Sequence, residues 1–285
     1  MSIRVLEGLA EVVDQYDLFI IDQWGVLHNG ETPHPGAVDV LRELRRAGKT
    51  ITILSNSGKR LTVTQARMTD MGFTDDLYDH CVTSGEEVWQ ALNAASEPFY
   101  TNLGAHCLML TWDGDNRLIE GLPLSEAKSV EDADFILNAG TTNDQAVLET
   151  MEPLLQRAAA RGLPMVCANP DFVSKAPDGS LAICPGTTAR RFEELGGKVD
   201  YRGKPHAPVY RRCFELTPDH GPALAIGDSL CHDIGGANGA GIDSLFISGG
   251  IHAEDIPDLG DSAALATLCE REGQTPTYAA STFRW

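Results

Sequence analysis

The stretch FIIDQWGVLHNG, residues 19–30, drives an apolar run into a single aspartate, Asp22, and meets a glycine three residues later. An aspartate where an apolar strand gives out invites a catalytic reading, because ligands of open α/β sheets collect at the carboxyl ends of strands. Trp24, two residues on, limits that chemistry: indole does not exchange a proton near neutral pH. Three other stretches carry related residues. ILSNS (53–57) holds Ser55 and Asn56 after an apolar run, RGKP (202–205) holds Lys204, and IGDSLCHD (226–233) delivers Asp228 and Asp233. Singly each is weak, since strand-end acids cap helices and loop lysines are usually solvated. In this order and in these strand contexts they define a candidate site.

The elements that must position these residues alternate. LFIID (18–22) and TITILSN (50–56) read as strands around a helix GAVDVLRELRRAGK (36–49) that turns Val40, Leu41 and Leu44 inward. PVYRRCFEL (208–216) reads as a helix, ALAIGDS (223–229) as a strand, DIGGANGAGI (233–242) as a small-residue helix and DSLFISGG (243–250) as a strand. This alternation is the pattern of a parallel sheet covered by helices. Between the two blocks lie strand-like HCLMLTW (106–112), ADFILNAG (133–140) and LPMVCAN (163–169), with helix-like VLETMEPLLQRAAARG (147–162). That is too much structure for a loop and predicts an inserted α/β domain over residues 83–185.

Composition excludes several classes. The 285 residues are 42% hydrophobic and 22% charged, as in a soluble globular protein. A net charge of -19 argues against a grip on nucleic acid or on an anionic membrane. It does not exclude a small phosphorylated ligand, because a local lysine, metal or helix N-terminus reverses the field over a short range. The 7 cysteines are spread out, with no C-x-x-C pair, and read as free thiols in a reducing cytosol. The N-terminal stretch carries acids and no apolar run of signal-peptide length, and no span approaches the length of a membrane helix. A cytoplasmic location is the expectation.

Taken together, IIDQWGV, ILSNS, RGKP and GDSLCHD resemble the signature of the haloacid dehalogenase-like (HAD) hydrolase superfamily. GETPHPGAVDVLRELRRAGKTITILSNS, VTSGEEV (82–88), CANPDF (167–172), PGTTARRFEELGG (185–197) and GDSLCHDIGGANGAGIDSLFISGG (227–250) are similar to its class IIA branch of sugar-phosphate, nucleotide and pyridoxal-phosphate phosphatases. The resemblance implies a Rossmann-like parallel-sheet core, residues 1–82 and 186–285, with a class IIA cap, residues 83–185, closing over the substrate. It implies Mg²⁺-dependent hydrolysis of a small phosphorylated metabolite through an aspartyl-phosphate at Asp22, and it is compatible with a homodimer. Carboxylate attack at phosphorus divides one hard displacement into two easier ones, provided that a hard cation offsets the charge. By resemblance Asp22, Asp228 and the Trp24 backbone carbonyl hold the metal, and Asp233 supports it indirectly. Ser55 and the Asn56 backbone N–H hold the phosphoryl oxygens, and Lys204 neutralises nucleophile and phosphate. Asp233 reads equally as a helix N-cap. Asn169 and Asp171 are expected at the core-facing edge of the cap, either touching substrate or simply forming an Asn-Pro-Asp turn.

Trp24 departs from the resembled pattern, in which a second aspartate protonates the leaving oxygen and later activates water. Such help is worth roughly a hundred- to ten-thousand-fold in rate. A good leaving group removes the need for it, another group such as His28 supplies it, or the protein binds phosphoryl ligands with little turnover. Haloacid dehalogenases also carry an aromatic residue here. They need no metal, however, and GDSLCHD keeps two acids at the expected metal positions, which favours phosphate. His28 also reads as a loop histidine with a structural hydrogen bond, and His206 is a weaker candidate for approach to substrate. Gly235, Gly236, Gly239 and Gly241 read as packing residues rather than a phosphate cradle.

Overall fold

The computed structural model describes residues 3–141, 147–175 and 180–285. The chain enters through β1 (Arg4–Val5), β2 (Leu18–Ile21), α1 (Ala37–Arg46), β3 (Thr50–Ser55), α2 (Leu61–Asp70) and β4 (His80–Thr83). Next come α3 (Ser84–Ala94), β5 (His106–Leu110), β6 (Ser125–Glu126), β7 (Phe135–Asn138), α4 (Val147–Ala160) and β8 (Pro164–Cys167). A hairpin of β9 (Val173–Lys175) and β10 (Leu181–Ile183), then α5 (Pro185–Glu194) and β11 (Lys198–Tyr201), complete the middle. The chain returns through α6 (Ala207–Leu216), β12 (Ala223–Gly227), a π-helical turn (Leu230–Ile234), α7 (Gly235–Ala240), β13 (Asp243–Ile247), α8 (Ser262–Glu272) and β14 (Tyr278–Ala280). One sheet has the order β1-β14-β13-β12-β2-β3-β4 and the other β11-β8-β7-β5-β6, and all pairings in both are parallel.

β2 is apolar throughout because it is covered on both faces, as parallel strands are. Phe19 and Ile21 pack with Leu41 and Leu44 of α1, whereas Leu18 and Ile20 pack with Val209, Tyr210 and Cys213 of α6. Each such burial contributes about 1.5–3 kcal/mol. The predicted 36–49 helix closes early, at Arg46, because Gly48 takes a left-handed φ of 71°.

Two expectations are corrected. The predicted 233–242 helix is divided into the π-helical turn and α7, and Asp233 is not a cap. The Ser229 hydroxyl accepts the His232 N–H, and Asp233 turns its carboxylate inward. The expected boundary at residue 185 also shifts. β11 pairs with β8, and Ala189 and Phe192 of α5 join Ile136 and Met165 in one apolar cluster. Residues 186–201 therefore pack with the middle sheet rather than with the core. The small residues of α7 have a packing reason at Gly236, where an added Cβ would lie 2.5 Å from the Tyr210 ring. The 7 cysteines are free, and all except Cys231 are buried.

Glu87 of α3 sits 3.6 Å from Arg212 of α6 with 15% of its side chain exposed. Burial pushes its pKa from 4.5 up to about 7, with Arg212 opposing the shift. The folded state thus holds the proton more tightly, so this group costs stability progressively as pH rises from 4.5 to about 7. Glu87→Gln is expected to leave thermal stability unchanged at pH 4 and to raise it at pH 8, by on the order of 2 kcal/mol. An equal effect at both pH values would show that this proton is not responsible.

Candidate active site

β2 lies between β12 and β3, with Ile21 opposite Ile226 on one side and Ile53 on the other. Because the strands are parallel, Asp22, Ser55 and Asp228 leave the sheet at the same edge, although 206 positions separate the two acids (228 minus 22). Lys204 reaches this edge from the loop after β11. Its ammonium donates to Asp22 Oδ1, to Asp233 Oδ1 at 2.6 Å and to the Leu54 carbonyl at 3.2 Å. The Asn56 side chain clips the lysine backbone: Oδ1 accepts the Lys204 N–H at 2.6 Å, and Nδ2 donates to the Lys204 carbonyl at 3.0 Å. Nδ2 also donates to Asp171 Oδ1 at 2.7 Å, joining the core to the Asn-Pro-Asp turn of the middle segment.

Asp228 needs glycines around it. An added Cβ would lie 1.8 Å from its Oδ2 at Gly25 and 1.9 Å at Gly250, and Gly25 also has a φ of 76°. The Ile251 N–H donates to the same oxygen at 2.8 Å. Asp22, Asp228 and Asp233 each offer one oxygen, all within 4.8 Å of one another, and all three are buried. Burial pushes Asp22 up to about 7 despite Lys204, and pushes Asp228 well above the carboxylate range, with the charges of Asp22 and Asp233 adding to the effect. Burial opposes the Lys204 charge, but Asp22 and Asp233 override it and hold the ammonium protonated. When ionised, three carboxylates against one ammonium leave two negative charges in a buried place. A divalent cation fits that deficit, and an all-oxygen donor set suits a hard one.

These groups open onto a cavity of about 510 Å³ whose walls include Asp22, Trp24, Asn56, Asn169, Asp171 and Lys204. Ser55 Oγ accepts the Ser57 N–H at 3.2 Å and keeps its own proton to donate. Asn169 Oδ1 accepts the Asp171 N–H at 3.0 Å, so the predicted turn is present and also faces the cavity. The Trp24 indole packs against Gly30, where a Cβ would lie 2.1 Å from the ring. His28 meets Trp24 edge-on at 5.5 Å between ring centroids. His28 Nδ1 accepts the Gly30 N–H at 3.0 Å, and burial lowers its pKa to about 4. It is neutral at pH 7 and makes the structural hydrogen bond. His206 stacks on Tyr201 at 4.7 Å and does not line the cavity. The sequence reading overlooked the Gly25–Gly250 cradle and His232, whose Nε2 lies 3.1 Å from the Pro170 carbonyl. The glycines after Trp24 and after β13 were the available signal for the cradle.

Two family models match the chain. One described as haloacid dehalogenase-like hydrolase matches residues 19–122, and one described as HAD-hydrolase-like matches residues 201–281. The crystal structure of a haloacid dehalogenase-like hydrolase from Brucella suis is 30% identical, with a TM-score of 0.83, covering 98% of this chain and 100% of that one. The chain belongs to the haloacid dehalogenase-like hydrolase family. Among curated relatives of this HAD protein is the D-glycerol 3-phosphate phosphatase of Mycobacterium tuberculosis, 25% identical over 86% of this chain. The match spans 66% of that relative, just under two thirds of its length. A crystal structure of a glycerol phosphate phosphatase from the same organism, in complex with calcium, is 25% identical with a TM-score of 0.60. That match covers 84% of this HAD chain and 68% of the other. No helix among the described residues is long and apolar enough to cross a membrane.

Lys204→Met removes the ammonium shared by Asp22 and Asp233. Breaking a buried pair from one side costs about 3–5 kcal/mol, and this variant is expected to lose stability on that scale in a chelator at pH 7. Thermal unfolding with added Mg²⁺ is expected to recover part of the loss. An identical loss with and without the metal would count against a cation at this carboxylate group.

Proposed function

We propose that this HAD hydrolase is a Mg²⁺-dependent phosphatase for a small phosphorylated metabolite with a good leaving group. The observation that carries the reading is the buried Asp22 carboxylate, held by Lys204 at the cavity wall with Asp228 and Asp233 beside it and no proton donor at Trp24. A divalent ion held by Asp22 and Asp228, with the Trp24 carbonyl, would offset the charge on nucleophile and phosphate. Asp22 attacks phosphorus, the bond to the leaving oxygen breaks, and its electron pair departs with that oxygen. Water then displaces the carboxylate from the aspartyl-phosphate without a side-chain base, both of its protons leaving on the dihydrogen phosphate formed, and the P–O bond to Asp22 breaks with its electron pair returning to the carboxylate. Lys204, the Ser55 hydroxyl and the Asn56 N–H hold the phosphoryl oxygens. The middle sheet acts as the cap, its Asn-Pro-Asp turn tied to the core through Asn56 and His232.

The leaving group follows from the proton inventory. His28 is neutral, and its Nδ1 is engaged by Gly30, so it does not replace the missing acid. Acyl phosphates, aryl phosphates and phosphoanhydrides leave without a proton, whereas alkyl esters such as glycerol 3-phosphate leave poorly. Trp24 also favours a second reading, a phosphoryl-ligand binder with little turnover. Dehalogenation has less support, because three clustered carboxylates serve a metal better than a halide.

Phosphate release with Mg²⁺ is expected from acyl and aryl phosphates, and not from sugar phosphates. Asp22→Asn is expected to abolish it, and hydrolysis persisting in that variant would end the nucleophile assignment. Trp24→Asp is expected to raise turnover of sugar phosphates by about 10²–10⁴. Silence of the parent protein across the panel, with Mg²⁺ and phosphonates still bound, would establish the binding reading.

A further inference from the structure

The cavity extends well past the phosphoryl site. Its far wall is made by α2, through Thr64, Arg67, Met68 and Met71, and by Lys175 of the β9–β10 hairpin. Trp24 connects this wall to Asp22, and the Arg67 guanidinium lies 5.6 Å from the indole centroid. The Arg67 guanidinium is anchored by donating to the Gly30 carbonyl.

Two features of this wall lack an internal explanation. In a chain with 41 acidic against 22 basic residues, neither Arg67 nor Lys175 has a carboxylate within ion-pair distance among the described residues. Two buried polar atoms of the same wall, Thr64 Oγ1 and His34 Nε2, also have no hydrogen-bond partner among the described residues. Thr64 is only 6% exposed, and an unpaired buried polar group costs about 1–3 kcal/mol. An anionic ligand here would relieve the first feature by pairing with Arg67 and Lys175. Beside these cations the lining includes the Trp24 indole, the Met71 thioether and Val63, which suit a flat apolar body.

We infer that this wall is a leaving-group subsite for a phosphate ester whose departing part is a flat apolar ring bearing a second anionic group, held by Arg67 and Lys175. The inference rests on the phosphatase reading and deepens it. An aromatic alcohol is a competent leaving group without a general acid, so the subsite and Trp24 select the same substrate class. The ring lies along Trp24 and Met71, and its anion faces Arg67 and Lys175.

The test is calorimetric, on the wild-type protein with Mg²⁺, using two phosphonates whose P–C bond is not cleaved: (4-carboxybenzyl)phosphonate and its neutral isostere (4-carbamoylbenzyl)phosphonate. The carboxylate is expected to bind roughly tenfold or more tightly than the amide, the scale of a charge-assisted hydrogen bond. Combining Arg67→Gln with Lys175→Gln is expected to bring that ratio to about one. Equal affinities in the wild type, or a ratio preserved in the double variant, would overturn the subsite. The corresponding 4-carboxyphenyl and 4-carbamoylphenyl phosphates separate this outcome from the failure of the parent reading. Release from both with equal KM removes the subsite and leaves the phosphatase, whereas a retained phosphonate ratio with no phosphate release removes the phosphatase and leaves the subsite.

Discussion

The Lys204 ammonium, buried between Asp22 and Asp233, is the interaction on which the rest of this site depends. Desolvating one ammonium and two carboxylates costs more than a single pairing returns, so the arrangement persists only because its remaining hydrogen bonds are also made. Leu54 supplies a carbonyl to the ammonium, Ser229 supplies an N–H to Asp233, and Asn56 fixes the lysine backbone from both sides. These partners come from β3, from the residue just after it and from the turn after β12, whereas the lysine comes from the segment that returns out of the middle sheet. One charge thereby binds together pieces that the sequence holds far apart. It also leaves the carboxylates in excess, and that excess suits a cation better than a satisfied salt bridge would.

Trp24 changes what the same scaffold can do without disturbing how it is built. The indole occupies space that Gly30 vacates and presents its face to Arg67, so the residue is integrated with the loop rather than tolerated by it. Metal ligation at this position in the family runs through the backbone carbonyl, which side-chain identity does not remove. Proton transfer runs through the side chain, which indole does remove. On the proposed reading the substitution separates two functions that share one residue in the resembled pattern, and the burden of the reaction falls on the leaving group.

Much of this was legible in the sequence because it rests on short-range signals. The continuous apolar run 18–21 announces a strand covered on both faces, and an acid just beyond it announces the active edge of a parallel sheet. Convergence of Asp22 and Asp228 was legible only through the order of the motifs, since nothing local says that β2 and β12 are neighbours. The last cap strand was not legible, because the alternation of Val199 and Tyr201 with Lys198 and Asp200 runs for only four residues, and its place in the middle sheet shows only in its pairing with Pro164–Cys167. Asp233 was ambiguous for a related reason. An acid at the start of a helical run looks like a cap, and only the depth of Lys204 shows that its carboxylate points the other way. Arg67 and Lys175 escaped notice because surface-type cations on a helix and a hairpin have no local mark of a shared cavity.

The acidity of the whole chain and the chemistry of the site are reconciled by distance. Exposed charges beyond roughly 8–10 Å are screened at physiological ionic strength, whereas a buried ammonium acts through protein and keeps its strength. A phosphorylated ligand approaching this molecule meets a repulsive general field, and then, within the cavity, Lys204, Arg67 and Lys175. Such a surface disfavours long polyanions, which must lie across many acids at once. It admits a small anion that fits inside the walls. The general field thus selects by size what the cavity selects by chemistry, and a net charge of -19 becomes compatible with a binding site for phosphate.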